Sequence, residues 1–371
     1  MRKNLDIELL RSVGIIFVIV SHLHNLFPWY DKNESRLAVF YDHFGLWTGV
    51  DLFFCVSGFI ITKTIMDKLP PGHTTKDFFS FAIPFWVRRI YRLWPSAWFW
   101  LSFTSIAAFI FNQTGVFGEP FKAILYQVYA MLNIANLYGY ECTKIASCGT
   151  NQVFWSLSLE EQFYWIFPIA LFFIRGNKFI VVMLIIALIQ IPLDRGGHFI
   201  GFIRTDAISL GVVIGYLSRK DYYSYFEPNN MSKFYFKYTI PLLLILMLAL
   251  LGTWKTVVVP WSTGVVAIVS AILVWIASYN KGYLFGNGFI KRVTEVIGAR
   301  SYTLYLTHIP AFYTAIELIN RYENLTGNPI GHNHFVYLAS AAIIMIIFTE
   351  LSHRIIEKPC HNYGRRITYK Q

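Results

Sequence analysis

The chain has 371 residues, 55% of them hydrophobic and only 14% charged, too few charges to solvate the surface of a globular fold of this length. Its net charge of +11 comes from Lys and Arg in short stretches between apolar runs, a pattern that orients a protein in a membrane and argues against nucleic acid as a partner. A soluble fold is thereby excluded, and the expectation is an all-α, polytopic transmembrane helix bundle in contact with membrane lipids.

The first apolar run, 9–27, is too long for a signal-peptide core, so it is expected to stay as the first span. It contains Arg11 and His22. On a continuous helix their eleven-residue interval is about 1100° of rotation, which would put both on one face roughly 16 Å apart along the axis. Intramembrane charge costs roughly 2.5 to 3.5 kcal/mol at mid-bilayer, so each residue is a functional candidate; a snorkelling Arg11 and an interfacial His22 are the plainer alternative. His24 and His43 lie nearby, but no ligand spacing supports a metal, and none is expected.

The second run, 45–62, carries Asp51 near its outer end and Ser57-Gly58 near its middle, where small residues permit close helix approach. Asp51 needs a partner, a histidine or an arginine, because an unpaired carboxylate there is expensive. Before the third run, 95–111, the segment FWVRRIYRLWP sets Arg88, Arg89 and Arg92 at its expected cytoplasmic entrance. Arg89 and Arg92 at i, i+3, and Arg88 and Arg92 at i, i+4, suit a fork around phosphate oxygens, although membrane anchoring explains them too.

Segment 121–138 is apolar but interrupted by Gln127, Asn133 and Asn136, and is read as a non-spanning outer piece, an eleventh span being the alternative. Cys142 and Cys148 share a polar loop that could close a small disulfide in an oxidising compartment. The fourth run, 154–174, opens with WSLSLEEQFYWIFP, where Ser156, Glu160 and Tyr164 follow i, i+4, i+8 spacing along one face and Glu161 points about 100° away. Acidic residues at a helix N-terminus are ordinary, but a Ser, Glu and Tyr stripe entering an apolar helix is not.

Further runs fall at 179–195, 202–218, 238–253, 261–279, 301–320 and 335–353. Arg204 and Asp206 enter the 202–218 run from outside, and Tyr302, Tyr305 and His308 recur at i, i+3, i+6 in the 301–320 run. Both sets can face a polar interior, although tyrosine near an interface is common. About ten spans with both termini cytoplasmic place most of the Lys and Arg on the cytoplasmic side, and making 121–138 a span would erase that asymmetry. Residues 1–371 read as one membrane domain, with 354–371 a short cytoplasmic tail.

LDIELLRSVGIIFVIVSH, GVDLFFCVSGFII, RRIYRLWP, WSLSLEEQFYWIFP, RTDAISLG and SYTLYLTHIP occur in the order found in the acyltransferase-3 family of integral membrane acyltransferases, which the chain resembles from about residue 5 to residue 320. The resemblance implies an O-acyltransferase of the bacterial cytoplasmic (inner) membrane. It would move an acyl group, usually acetyl, from cytoplasmic acetyl-CoA to a hydroxyl of a glycan or lipid-linked glycan, such as O-antigen or exopolysaccharide. It matches Arg11 and His22 to the family's essential pair, Arg89 and Arg92 to its Arg-x-x-Arg motif, and favours Glu160 over Glu161. His22, Glu160 and Asp51 are then the catalytic candidates, and Arg11, Arg88, Arg89, Arg92, Tyr305 and His308 the donor-binding ones. Ser156, Tyr164, Arg204 and Asp206 form a supporting polar network. Some family members carry a fused extracytoplasmic domain, so an extracytoplasmic partner protein is one alternative and a self-sufficient membrane domain the other. A transporter or flippase using the same His, Arg and Glu residues is the rival class; it predicts Gly/Pro-broken helices in two related halves, a pairing the sequence does not show.

Overall fold

The computed structural model describes residues 4–144, 151–195, 199–253, 261–285 and 288–369. Among them there are fifteen α-helices and no strand. The chain divides into two compact units: 1–21, 38–81 and 168–301 form the first, and 22–37, 82–167 and 302–371 the second.

In chain order the helices are α1 (Leu5–Ser21), α2 (Arg36–His43), α3 (Gly49–Ile65), α4 (Thr75–Ile110), α5 (Pro120–Met131), α6 (Ala135–Lys144), α7 (Phe154–Phe173) and α8 (Asn177–Gln190). There follow α9 (Asp206–Leu217), α10 (Phe234–Leu251), α11 (Ser262–Ser278), α12 (Phe289–Ala299), α13 (Ser301–Thr326), α14 (His334–Ser352) and α15 (Lys358–Tyr369).

Five segments among the described residues are long and apolar enough to cross a membrane: Leu46–Lys68, Thr75–Ile110, Phe199–Leu217, Phe234–Leu251 and His334–Thr368. The expectation of ten spans is thus met by length and composition for about half of them. Two of the others, α8 and α11, are apolar but short. The remaining three, α1, α7 and α13, carry the polar side chains singled out from the sequence, which lower their hydropathy. Segment 121–138 is two short helices broken at Asn133, which takes a φ of 57°; neither is long enough to span alone.

Two boundaries differ from the sequence reading. The expected third span, 95–111, is the second half of the 36-residue helix α4, which contains Pro84 and Pro95. Arg88, Arg89 and Arg92 therefore lie inside a helix rather than at its entrance, because the three charges interrupt the hydropathy but not the backbone hydrogen bonding. At the other end, residues 354–369 continue as helix through a π-turn at His353–Glu357 into α15. The π-turn is held by Glu357, which accepts from Thr303 Oγ1 and lies 2.9 Å from His353 Nδ1. The Cys142–Cys148 pairing lies outside the described residues; Cys55 is buried and unbridged.

In the first unit α3 packs on α9 through glycine. A Cβ on Gly58 would meet the Ile208 carbonyl, and one on Gly211 the Cys55 carbonyl, each well inside van der Waals distance. The helix backbones touch, as the small residues of the second run foreshadow. Gly58→Leu is expected to separate α3 from α9 and remove folded protein from the membrane, read as lost abundance with unchanged transcript; near-normal abundance would count against this packing. Gln190 Nε2 donates to Thr205 Oγ1 (2.8 Å) and Thr205 N–H to Gln190 Oε1 (2.8 Å), which ties the end of α8 to the start of α9.

The second unit contains α4 from Ala82 onward, α5, α6, the first part of α7, α13, α14 and α15. Trp100 of α4 donates to Ser352 Oγ (3.1 Å) and packs against Phe348 (4.9 Å). Glu317 of α13 accepts the N–H groups of Gln113 (3.0 Å) and Thr114 (2.7 Å) beyond the end of α4. These contacts fix α4, α13 and α14 in register, and the polar faces of α7 and α13 meet in the same unit.

Candidate active site

The site is built around His308. Its ring is fully buried, and its Nδ1 lies 2.7 Å from the Tyr305 carbonyl oxygen. A carbonyl can only accept, so Nδ1 carries the proton, and in the neutral ring Nε2 carries the lone pair. That Nε2 is buried without a hydrogen-bond partner among the described residues, and the His22 and His308 ring centroids lie 5.2 Å apart. An unpartnered buried nitrogen is costly, which makes His308 the candidate around which the site is read.

His22 itself does not sit on α1. The helix ends at Ser21, whose Oγ bonds back to the Val18 carbonyl (2.8 Å), and His22 heads the 3₁₀ turn Leu23–Leu26 with φ −102° and ψ 3°. The one-face geometry inferred from an eleven-residue helical interval is therefore replaced by a histidine on a turn. Serine bonding its own backbone competes with helix continuation at this point.

From His308 a polar stripe runs onto α7. The Tyr305 hydroxyl lies 2.7 Å from Ser156 Oγ and 2.7 Å from the Val153 carbonyl. One turn along, Glu160 accepts the Tyr164 hydroxyl, and the Arg89 guanidinium covers the Tyr164 ring at 5.0 Å and the Phe85 ring at 5.4 Å. Ser156, Glu160 and Tyr164 thus share a face, as their spacing requires, spanning about 12 Å of helix. Trp86 Nε1 donates to the Tyr164 carbonyl (3.2 Å) and locks α4 against α7 there.

Glu161 occupies the adjoining face and was passed over in the sequence in favour of its neighbour. It is buried, accepts Trp94 Nε1 at 2.5 Å, and lines two small cavities with Trp94. The acidic doublet was visible; which member is buried depends on the tryptophans of α4. The three arginines separate: Arg88 donates to Thr368 Oγ1 of α15 (3.2 Å), Arg89 covers Tyr164, and Arg92 is half-buried one turn further on. Tyr302 donates to the Leu93 carbonyl (2.7 Å), an anchoring role.

The other expected site residues lie in the first unit. Arg11 pairs with Glu8 on its own helix (3.3 Å). Asp51 pairs with Arg204 (2.9 Å), and Asp206 with Arg195 (2.8 Å), and all four are buried. Asp51 thereby finds the arginine its burial demanded. Arg195 went unrecognised because it stands at the end of a run, where a lone cation reads as an interfacial residue.

Among the described residues no group of three or more His, Cys, Asp or Glu side chains is arranged to hold a metal ion. An apolar cavity of about 400 Å³ between α13 and α14, lined by residues such as Leu318, Ile319 and Ile343, holds no carboxylate, histidine or cation.

A buried histidine beside a half-buried one, continued by a Ser, Glu, Tyr and Arg stripe, suits acyl transfer, and residues 4–350 match the family model described as an acyltransferase domain, Acyl_transf_3. The chain belongs to this acyltransferase family. It is 25% identical over 383 residues to a Bacillus subtilis protein provisionally named peptidoglycan O-acetyltransferase YrhL, covering 96% of this chain and 55% of that one. It is 24% identical over 382 residues to the Staphylococcus aureus O-acetyltransferase OatA, covering 96% of this chain and 57% of that one. This acyltransferase chain therefore spans little more than half the length of those relatives. No solved structure matches it significantly. Within the acyltransferase, the second unit brings together His22, His308, Tyr305, Ser156, Glu160, Tyr164 and Arg89, while Arg11, Asp51, Arg204 and Asp206 belong to the first.

Proposed function

We propose that this chain is a membrane O-acetyltransferase that moves an acetyl group from acetyl-CoA to a hydroxyl of a cell-surface glycan. The observation that carries the reading is the His22–His308 pair, with His308 held by the Tyr305 carbonyl so that its lone pair lies on Nε2. His22 takes the proton of the acceptor hydroxyl, and His308 orients the His22 ring and stabilises the charge it gains. The alkoxide attacks the thioester carbonyl, the new C–O bond forms, the C–S bond breaks, and the imidazolium returns its proton to the departing CoA sulfur. Transfer through an acetyl group carried by His22 obeys the same balance in two steps.

Arg89, Arg92 and Arg88 are the cations assigned to the CoA phosphates, since several phosphate charges near a low-dielectric interior need compensation. Ser156, Glu160 and Tyr164 line the approach of the thioester. Peptidoglycan, the acceptor in one relative's name, is the first glycan to assay, with O-antigen and exopolysaccharide next. This reading puts the protein in the bacterial cytoplasmic membrane with both termini inside, an orientation that the distribution of its basic residues supports.

CoA added to the detergent-solubilised protein should stabilise it by about 2.7 kcal/mol at 100 times Kd, read as a concentration-dependent rise in melting temperature. Arg89→Ala should raise the CoA concentration needed about tenfold. A transporter or scaffold shows no CoA-dependent shift, and that result would sink the proposal. Mass spectrometry of surface glycans with and without the gene identifies the acceptor through the missing acetyl mass.

A further inference from the structure

Beyond the histidine pair, the second unit carries an aromatic surface to which neither the family match nor the mechanism gives a role. Phe27, Pro28, Trp29 and Tyr30 form a turn closed by the Tyr30 N–H on the Phe27 carbonyl (2.9 Å). Trp29 stacks on His332 with centroids 4.6 Å apart and planes at 15°. His334 meets it edge-on at 5.2 Å and receives its Nε1–H at 3.4 Å, while Tyr337 closes the other edge at 4.8 Å. Phe27, itself buried, supports His334 at 5.0 Å. Both histidines remain exposed.

The surface is held in place before any ligand arrives. Glu323 Oε1 accepts the N–H groups of Ile330 (2.6 Å) and Gly331 (3.1 Å), which fixes the loop that carries His332. Asn333 caps α14 by accepting the Val336 N–H (3.3 Å), which fixes His334 at the first helical position. A series of ring contacts connects the same turn with the reacting histidine: Tyr30 lies 5.6 Å from His24, and His24 lies 6.4 Å from His22.

We propose that Trp29, His332 and His334 form an acceptor subsite that binds a pyranose ring of the glycan, a proposal that rests on the reading of this protein as a glycan acyltransferase. Flat rings with apolar faces and polar edges match a sugar, whose C–H groups carry the partial positive charge that an aromatic face attracts and whose hydroxyls need donors and acceptors at the rim. In neutral His334 the Trp29 bond falls on Nε2, so the proton lies on Nδ1 and can be offered to a hydroxyl oxygen. Rigid rings in a fixed loop bind at little entropic cost.

The test uses the full chain in detergent and a panel of pyranose oligosaccharides, an N-acetylhexosamine tetramer and a neutral hexose tetramer, with binding followed by saturation-transfer NMR. The wild type should bind at least one of them. Trp29→Ala and His332→Ala should weaken that binding about tenfold or more, Trp29→Phe should retain most of it, and all three should keep the CoA-dependent thermal shift of the wild type. The proposal is overturned if the wild type binds no oligosaccharide, if the alanine variants bind as the wild type does, or if the surface captures acidic lipid vesicles and no sugar. Sugar binding lost on Trp29→Ala in a protein that never responds to CoA would uphold the subsite and overturn the donor reading instead.

Discussion

Replacement of His308 by alanine is expected to lower kcat about 100-fold, and of His22 about 1000-fold, with the KM for acetyl-CoA nearly unchanged in both. The reason is the tautomer. The Tyr305 carbonyl holds the His308 proton on Nδ1, so a buried neutral imidazole keeps its lone pair on Nε2, with the His22 ring 5.2 Å away between centroids. Removing His308 leaves His22 present but unaligned and its developing charge unsupported, a loss that falls on the transition state more than on donor binding. His308→Gln, whose amide oxygen can occupy the position of the Nε2 lone pair, should recover part of the rate. A merely structural His308 would instead lower folded abundance and the CoA-dependent thermal shift together with activity, and Gln would rescue neither selectively. Full activity of His308→Ala would remove it from the mechanism. The measurement is acceptor-dependent CoA release by purified protein, normalised to folded protein.

The second large effect concerns the buried charges of the first unit. Asp51→Ala strands the Arg204 guanidinium away from water, and the expected loss is about 3 to 5 kcal/mol of stability, enough to empty the membrane of folded protein. Asp51→Leu combined with Arg204→Met removes both charges at once, and pairs so replaced are commonly neutral or stabilising. The double variant should therefore restore folded abundance, with the Arg195–Asp206 pair left in place. Its activity decides a question that the sequence left open. Acetyl transfer restored together with the fold makes Asp51 a structural carboxylate, whereas a folded but inactive double variant would return it to the catalytic list. Failure of the double variant to recover abundance would contradict the account in which the stranded Arg204 charge causes the loss.

The helical class, most of the apolar runs and the family motifs could be read directly from residue order, since hydropathy over about twenty residues depends only on which side chains follow one another. The Ser156, Glu160 and Tyr164 face was equally legible, because i, i+4 spacing fixes direction on any α-helix. Helix α4 was not. The three arginines read as the entrance of a span, yet the helix continues through them and through Pro84 and Pro95, as Arg89 rests on Tyr164 and Arg88 reaches α15. Hydropathy measures the cost of a charge in lipid and says nothing about an aromatic ring that covers it.

By itself the sequence determined the helical membrane class, the family and the short list of expensive polar residues, because each of those depends on composition and local spacing. Tertiary structure alone decided how the list divides. His22 left its helix for a turn and joined His308, Glu161 rather than Glu160 went beneath Trp94, and Asp51 joined Arg204 while Arg195 emerged as the partner of Asp206. The His22–His308 and Asp51–Arg204 pairings join residues more than a hundred positions apart, and such pairings depend on which helices pack together, a choice no local pattern encodes.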